Sequence, residues 1–175
     1  MKINLFRILV FGIAVFILFI FFISLSKNNI YDTSNLIGKN IDSFEIISLN
    51  TKKKINDELL KKNEFTLINF WSSWCAPCRS EHKYLMRLKN NNKNLKILGI
   101  NFKDNKKNAN SFLIELGNPY DELAVDQQGK QSINFGIYGI PESILINKDL
   151  IIIKKFIGPI FESDYEYIKS IVRKK

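Results

Sequence analysis

The sequence predicts an α/β domain, a central mixed β-sheet flanked by helices, preceded by one N-terminal transmembrane helix. Three observations carry this. The stretch from Ile8 to Ile23 holds no charged or strongly polar side chain. Two mostly apolar runs of strand length, Phe65–Trp71 and Leu95–Phe102, read as strands buried on both faces. Apolar residues recur at helical spacing between them, and the chain closes on a strand–strand–helix pattern.

The N-terminal segment comes first. Ile8–Leu25 spans about 27 Å as a helix, close to the ~30 Å hydrocarbon thickness of a bilayer. Lys2 and Arg7 precede it and only Lys27 follows directly, which favours an inward N-terminus and an extracytoplasmic body. A cleavable signal peptide competes, because Ser24-Leu25-Ser26 has the small-x-small form of a cleavage site. The length of the apolar run favours an uncleaved anchor over residues 1–25. Residues 26–40, rich in Asn, Ser and Asp, read as a tether. Residues 41–175 form the body.

The chain has 175 residues, 26 Lys+Arg against 17 Asp+Glu and a net charge of +9. After residue 30 there are 23 bases and all 17 acids, a net of +6 over a length that suits one core. The bases are dispersed and no recognition motif accompanies them, so nucleic acid is not a predicted partner. An aromatic content of 13% excludes a disordered chain. Two Cys and one His exclude a disulfide-dense scaffold and argue against a structural metal site. No metal or cofactor is called for.

The body reads in order as follows. Phe44–Leu49 is a strand, Ile55–Lys61 a short helix and Phe65–Trp71 a buried strand. A helix over 76–90 presents Tyr84, Leu85 and Leu88 as its apolar face. Leu95–Phe102 is a second buried strand. Asn108–Leu116 is a helix stopped by Gly117, and Asn118-Pro119 a loop. Gly129–Phe135 makes one or two helical turns. Ser143–Asn147 and Ile151–Ile157 are strands joined at Asn147-Lys148-Asp149. Ser163 caps a last helix, Asp164–Arg173, with acids early and bases late.

The chemistry-bearing stretch is Ser73-Trp74-Cys75-Ala76-Pro77-Cys78-Arg79, where a buried strand gives way to a helix. Two cysteines at i and i+3 on a first helical turn can close a small disulfide ring. The helix N-terminus stabilises a thiolate through unpaired N–H groups and its positive partial charge. Cys75, at the exposed helix end, is the expected nucleophile, and Cys78, covered by the helix, the resolving thiol. A zinc site lacks ligands. Haem attachment requires a His directly after the second Cys, where Arg79 stands. An inert structural disulfide is the remaining competitor. No His lies between the cysteines, which leans toward a reductant.

A second landmark runs from Gly136 through Ile140-Pro141 to Asn147. Proline entering a strand belongs at its first residue or edge. A cis Ile140–Pro141 bond fits an entry loop beside the dithiol, and it would let the Ile140 backbone pair with an extended substrate.

These landmarks together resemble the thioredoxin fold, and more closely the CcmG/DsbE type of thiol:disulfide interchange protein of cytochrome c maturation. The resemblance rests on Asn69–His82, Gly99–Asp104, Leu116–Tyr120 and Gly136–Asn147, with Gly158-Pro159 after the last strand, and covers residues 36–174. It implies a thioredoxin-like fold and a membrane-anchored, periplasm-facing reductant. Its implied partners are apocytochrome c or an assembly thiol protein, a membrane electron donor, and the bilayer through residues 8–25.

Cys75 and Cys78 match the family's redox pair, Glu81 its acidic residue and Pro141 its cis-proline. Trp74, Ile140 and Pro141 are the expected substrate-binding residues. One departure stands out: general thioredoxins carry a buried Asp where this chain has Asn69. Glu81, one turn past Cys78, is therefore the expected proton acceptor for Cys78. His82 is expected at the surface. A generic extracytoplasmic reductant, an oxidant, and a binding module with a dispensable dithiol are the alternatives.

Overall fold

The computed structural model describes residues 5–26 and 36–173. The chain divides by its contacts into an N-terminal unit and a unit that begins at Thr33. The first contains helix α1, Leu5–Ser26. Within it Phe6–Leu25 is long and apolar enough to cross a membrane, and none of it is buried against protein. Residues 27–35 of the expected tether lie outside the described residues.

The second unit is built on a seven-stranded sheet. Its strands are β1 (Glu45–Ser48), β2 (Lys54–Asn56), β3 (Phe65–Trp71), β4 (Leu95–Phe102), β5 (Glu122–Asp126), β6 (Glu142–Asn147) and β7 (Ile152–Ile157). Their order is β2-β1-β5-β4-β3-β6-β7. β3, β4 and β5 run parallel, and the other pairings are antiparallel. The helices are α2 (Asp57–Leu60), α3 (Ala76–Asn91), α4 (Lys106–Leu116), α5 (Lys130–Asn134) and α6 (Glu162–Val172). α3 and α4 connect the parallel strands, as parallel pairing requires.

β3 is the central divider. All seven of its residues are buried. Leu67 and Trp71 face a core shared with Leu85 and Leu88 of α3, Phe112 of α4 and Ile168 of α6. Ile68 and Phe70 face a second core with Phe44, Ile100, Ile137 and Ile144. Burial on both sides explains why these strands read as continuous apolar runs.

Local chemistry sets the ends of the elements. Cys75 caps α3 and Pro77 lies in its first turn, where a missing N–H costs nothing. Asn105 caps α4, its Oδ1 accepting from Lys107 N at 2.8 Å. Gly99 on β4 is a packing requirement, since a Cβ there would lie 2.6 Å from the Tyr120 ring.

Several expectations need correction. Residues 36–40, assigned to the tether, are hydrogen-bonded to the sheet edge. Gly38 N donates to Ile152 O and Ile152 N to Lys39 O, both at 2.8 Å, and Asn40 bridges Ile151. A backbone ladder needs no apolar side chains, so polarity alone misled there. The expected helix over 55–61 is a short strand followed by the four-residue α2, with Asn56 Oδ1 accepting from Leu59 N. β5 has no counterpart in the sequence reading. α6 is capped at Phe161, not Ser163; Phe161 N donates to Asp164 Oδ2 at 3.1 Å. His82, expected at the surface, is 3% exposed.

Candidate active site

Cys75 and Cys78 form a disulfide across the first turn of α3. Cys78 N donates to Cys75 Sγ at 3.2 Å, so the helix terminus already directs an N–H at this sulfur. The sequence reading placed Cys75 at an exposed end. In the disulfide form both sulfur residues are buried, Cys75 at 4% and Cys78 at 2% exposed. Their flanks, Trp74, Ala76 and Pro77, are exposed.

The segment ahead of the disulfide is pinned by Asp104. Asp104 Oδ2 accepts from Ser73 N at 2.6 Å and from Asn101 Nδ2 at 3.0 Å. Its Oδ1 accepts from Ser73 Oγ at 2.9 Å and Asn105 N at 2.7 Å. Trp74 lies 60% exposed, and its Nε1–H donates to Lys103 O at 3.2 Å. The loop from β4 to α4 thus holds the strand-to-helix turn that carries the cysteines. In the sequence Asp104 stands out only as the end of the Gly99–Asp104 segment; the fold gives its carboxylate this role.

Glu81 is not a solvated helix acid. It is 1% exposed, on the inner face of α3 with Cys78, His82 and Leu85. Asn69 Nδ2 donates to Glu81 Oε1 and Ile160 N to Oε2, each at 2.9 Å. Burial outweighs these two donors and pushes the carboxyl up to about 7. Asn69 Nδ2 also donates to Ser143 Oγ at 2.9 Å, and the Tyr120 hydroxyl donates to Asn69 Oδ1 at 2.9 Å. Burial, then the nearby Glu81, raises the Tyr120 hydroxyl well above its ordinary value. Spacing along the chain gave no signal for this Tyr120–Asn69–Ser143 cluster.

His82 points elsewhere. Its Nε2–H donates to Gly117 O at 2.9 Å and its ring meets Phe112 edge-on. Burial lowers its pKa. It joins α3 to the end of α4.

The Ile140–Pro141 peptide is cis, as the sequence reading expected. Pro141 is buried and Ile140 half-buried. A groove lined by Trp74, Phe102, Lys103, Ile137, Tyr138 and Ile140 opens between the two loops. The fold therefore gathers Trp74, Cys75 and Ile140 at one end of the sheet, with Glu81 buried behind.

Comparison with known proteins settles the family. The Redoxin family model matches residues 38–169. The chain belongs to the redoxin family. Within it, the thiol:disulfide interchange protein CycY of Rhizobium leguminosarum bv. viciae is 48% identical over 98 residues. That match covers 56% of this chain and 52% of CycY, so the chain spans about half the length of that relative. The thiol:disulfide interchange protein DsbE of Vibrio cholerae is 33% identical over 152 residues, covering 84% of this chain and 82% of DsbE. The thioredoxin domain of a thiol-disulfide oxidoreductase from Bacteroides vulgatus superposes with a TM-score of 0.67 at 19% identity. It covers 78% of this chain and 98% of that domain, and shows the thioredoxin-like fold. The redoxin domain described here, with its disulfide at a helix start, is that of a thiol:disulfide oxidoreductase.

Proposed function

We propose that this chain is a membrane-anchored reductant. It acts on disulfides of apocytochrome c, or of a partner thiol protein, during cytochrome c maturation. The observation that supports this reading best is the Cys75–Cys78 disulfide at the start of α3, which follows directly on Trp74 of the groove wall and shares the buried face of that helix with the Glu81 carboxyl.

In the reduced form the Cys75 thiolate attacks one sulfur of the substrate disulfide. A Cys75–substrate bond forms and one substrate thiolate leaves. Cys78 passes its proton to Glu81 and attacks Cys75, which releases the second substrate thiolate and closes the Cys75–Cys78 disulfide. Two electrons pass from the dithiol to the substrate. The Ile140 backbone, presented beside Pro141, pairs with the extended substrate chain, and Trp74 packs against it. A membrane dithiol donor then returns two electrons to the disulfide.

In this reading residues 1–25 are the anchor with the N-terminus in the cytoplasm, as Lys2 and Arg7 favour. The body from residue 41, together with the edge ladder at 36–40, works in the periplasm.

The test is covalent capture by the full-length Cys78→Ser variant in membranes. Cys75 is then expected to be trapped in a mixed disulfide with a protein bearing a Cys-x-x-Cys-His haem site or with an assembly thiol protein. Capture of unrelated disulfide proteins only would mark a generic reductant. A Cys75→Ala chain that still supports maturation would mark a binding module. A reduction potential near ~−120 mV would make it an oxidant.

A further inference from the structure

Lys155 lies on β7 opposite Ile144, on the face that also carries Glu142, and its side chain is fully buried. Its Nζ is 2.8 Å from Glu142 Oε2 and donates to Gly136 O at 2.5 Å. It also lies 5.4 Å from the centre of the Tyr138 ring. Glu142 Oε1 in turn accepts from Tyr138 N and Gly139 N, both at 3.1 Å. Gly136 itself has a φ of +66°, so the loop begins on a left-handed residue. One buried ion pair therefore ties both ends and the middle of the segment 136–142.

That segment is one wall of the groove beside Cys75. Tyr138 is 72% exposed and lines the groove, with the Lys155 ammonium against its ring. A buried ion pair contributes little to stability compared with apolar residues of the same size, because desolvating both charges offsets their attraction. What it does provide is specificity: any loop shape that parts the ammonium from its carboxylate leaves a buried charge unpaired, which is strongly destabilising.

We propose that Lys155 is a positioning residue for substrate docking. Acting through Glu142 and the Gly136 carbonyl, it holds the 136–141 loop in the shape that receives the polypeptide around the substrate disulfide. It takes no part in the sulfur chemistry. The inference rests on the reading that this groove docks a disulfide-bearing polypeptide.

The experiment compares wild type with Lys155→Met, which keeps the stem and removes the charge. The probes are a synthetic oxidised Cys-x-x-Cys-His peptide and the small disulfide dithiobis(nitrobenzoic acid). The variant is expected to raise the peptide KM about tenfold with kcat retained, the effect of losing one well-made polar contact. Its rate with the small disulfide stays at the wild-type value. Amide exchange at Tyr138 and Gly139 accelerates while exchange in β3 and β4 does not. If Lys155→Met does not fold, the uncharged pair Lys155→Met with Glu142→Gln serves in its place, and the Gly136 carbonyl remains unbraced there.

A folded variant with wild-type exchange at Tyr138 and Gly139 overturns the proposal, as does an equal loss of rate with both probes. A wild-type protein that leaves the peptide disulfide intact refutes the proposed reduction instead. The exchange measurement still decides the role of Lys155 in that case.

Discussion

The Tyr120 hydroxyl donates to Asn69 Oδ1 and thereby sets which way the Asn69 amide lies, with its NH2 toward Glu81 and Ser143. A neutral amide thus stands where general thioredoxins carry an acid, and Glu81 is the carboxyl of this buried cluster. Its behaviour leads to the first prediction.

Burial raises the Glu81 carboxyl from 4.5 to about 7. The folded chain therefore binds more protons than the unfolded chain between those values. Stability from this group is complete below about pH 4.5 and falls as pH rises through about 7, a loss of about 3 kcal/mol. Glu81→Gln should remove that slope, although the amide mismatches one donor and lowers stability at acid pH. Urea unfolding of both proteins at pH 5 and pH 8 checks this. The same variant should slow resolution of a trapped mixed disulfide by roughly tenfold or more, if Glu81 accepts the Cys78 proton.

Gly99→Ala should be costly although it adds one methyl group. The new Cβ would sit 2.6 Å from the Tyr120 ring, on a β4 residue paired with Asn69. Overpacking of this kind costs about 1–3 kcal/mol. A lowered midpoint in thermal unfolding, with altered near-ultraviolet signals from Trp71 stacked on Tyr120, is the expected outcome.

Asp104→Asn should loosen the turn before Cys75. The amide nitrogen would face donors on one side of a carboxylate that now accepts four hydrogen bonds. A loss of about 2 kcal/mol is expected, with slower exchange even toward small disulfides. Stopped-flow measurements with dithiobis(nitrobenzoic acid) read the second effect.

Trp74→Ala should separate binding from folding. An exposed ring contributes little to stability, and the change should stay within about 0.5 kcal/mol. The KM for a protein disulfide should rise several-fold. An unchanged KM would remove Trp74 from the docking surface.

The dithiol, the proline loop and the two central strands were legible because each has a local signature. Phe65–Trp71 declares itself by length and apolarity, and the cysteines by their place at a strand-to-helix junction. β5 was not legible, since Glu122 and Asp126 bracket only three apolar residues. Its strand form comes from pairing with β1 and β4. His82 was misplaced because its neighbours Glu81 and Lys83 suggest a wet surface. Gly117 and Phe112 of a later element cover it. The Asn69–Glu81–Tyr120–Ser143 cluster joins residues up to 74 positions apart, and no spacing rule reaches that far. Lys155 was hidden likewise, as a lysine on a short strand ordinarily reads as solvent-facing.

The ladder between residues 38–41 and β7 has a mechanical consequence. Gly38, Lys39 and Ile41 share backbone hydrogen bonds with Ile152 and Leu150. Tension applied to the chain at Gly38 falls on these bonds. β7 and β6 stand between that entry point and β3, the strand that leads into the dithiol. A pull applied at Gly38 would therefore be taken up at the outer rim of the sheet, two strands away from β3 and the dithiol that follows it.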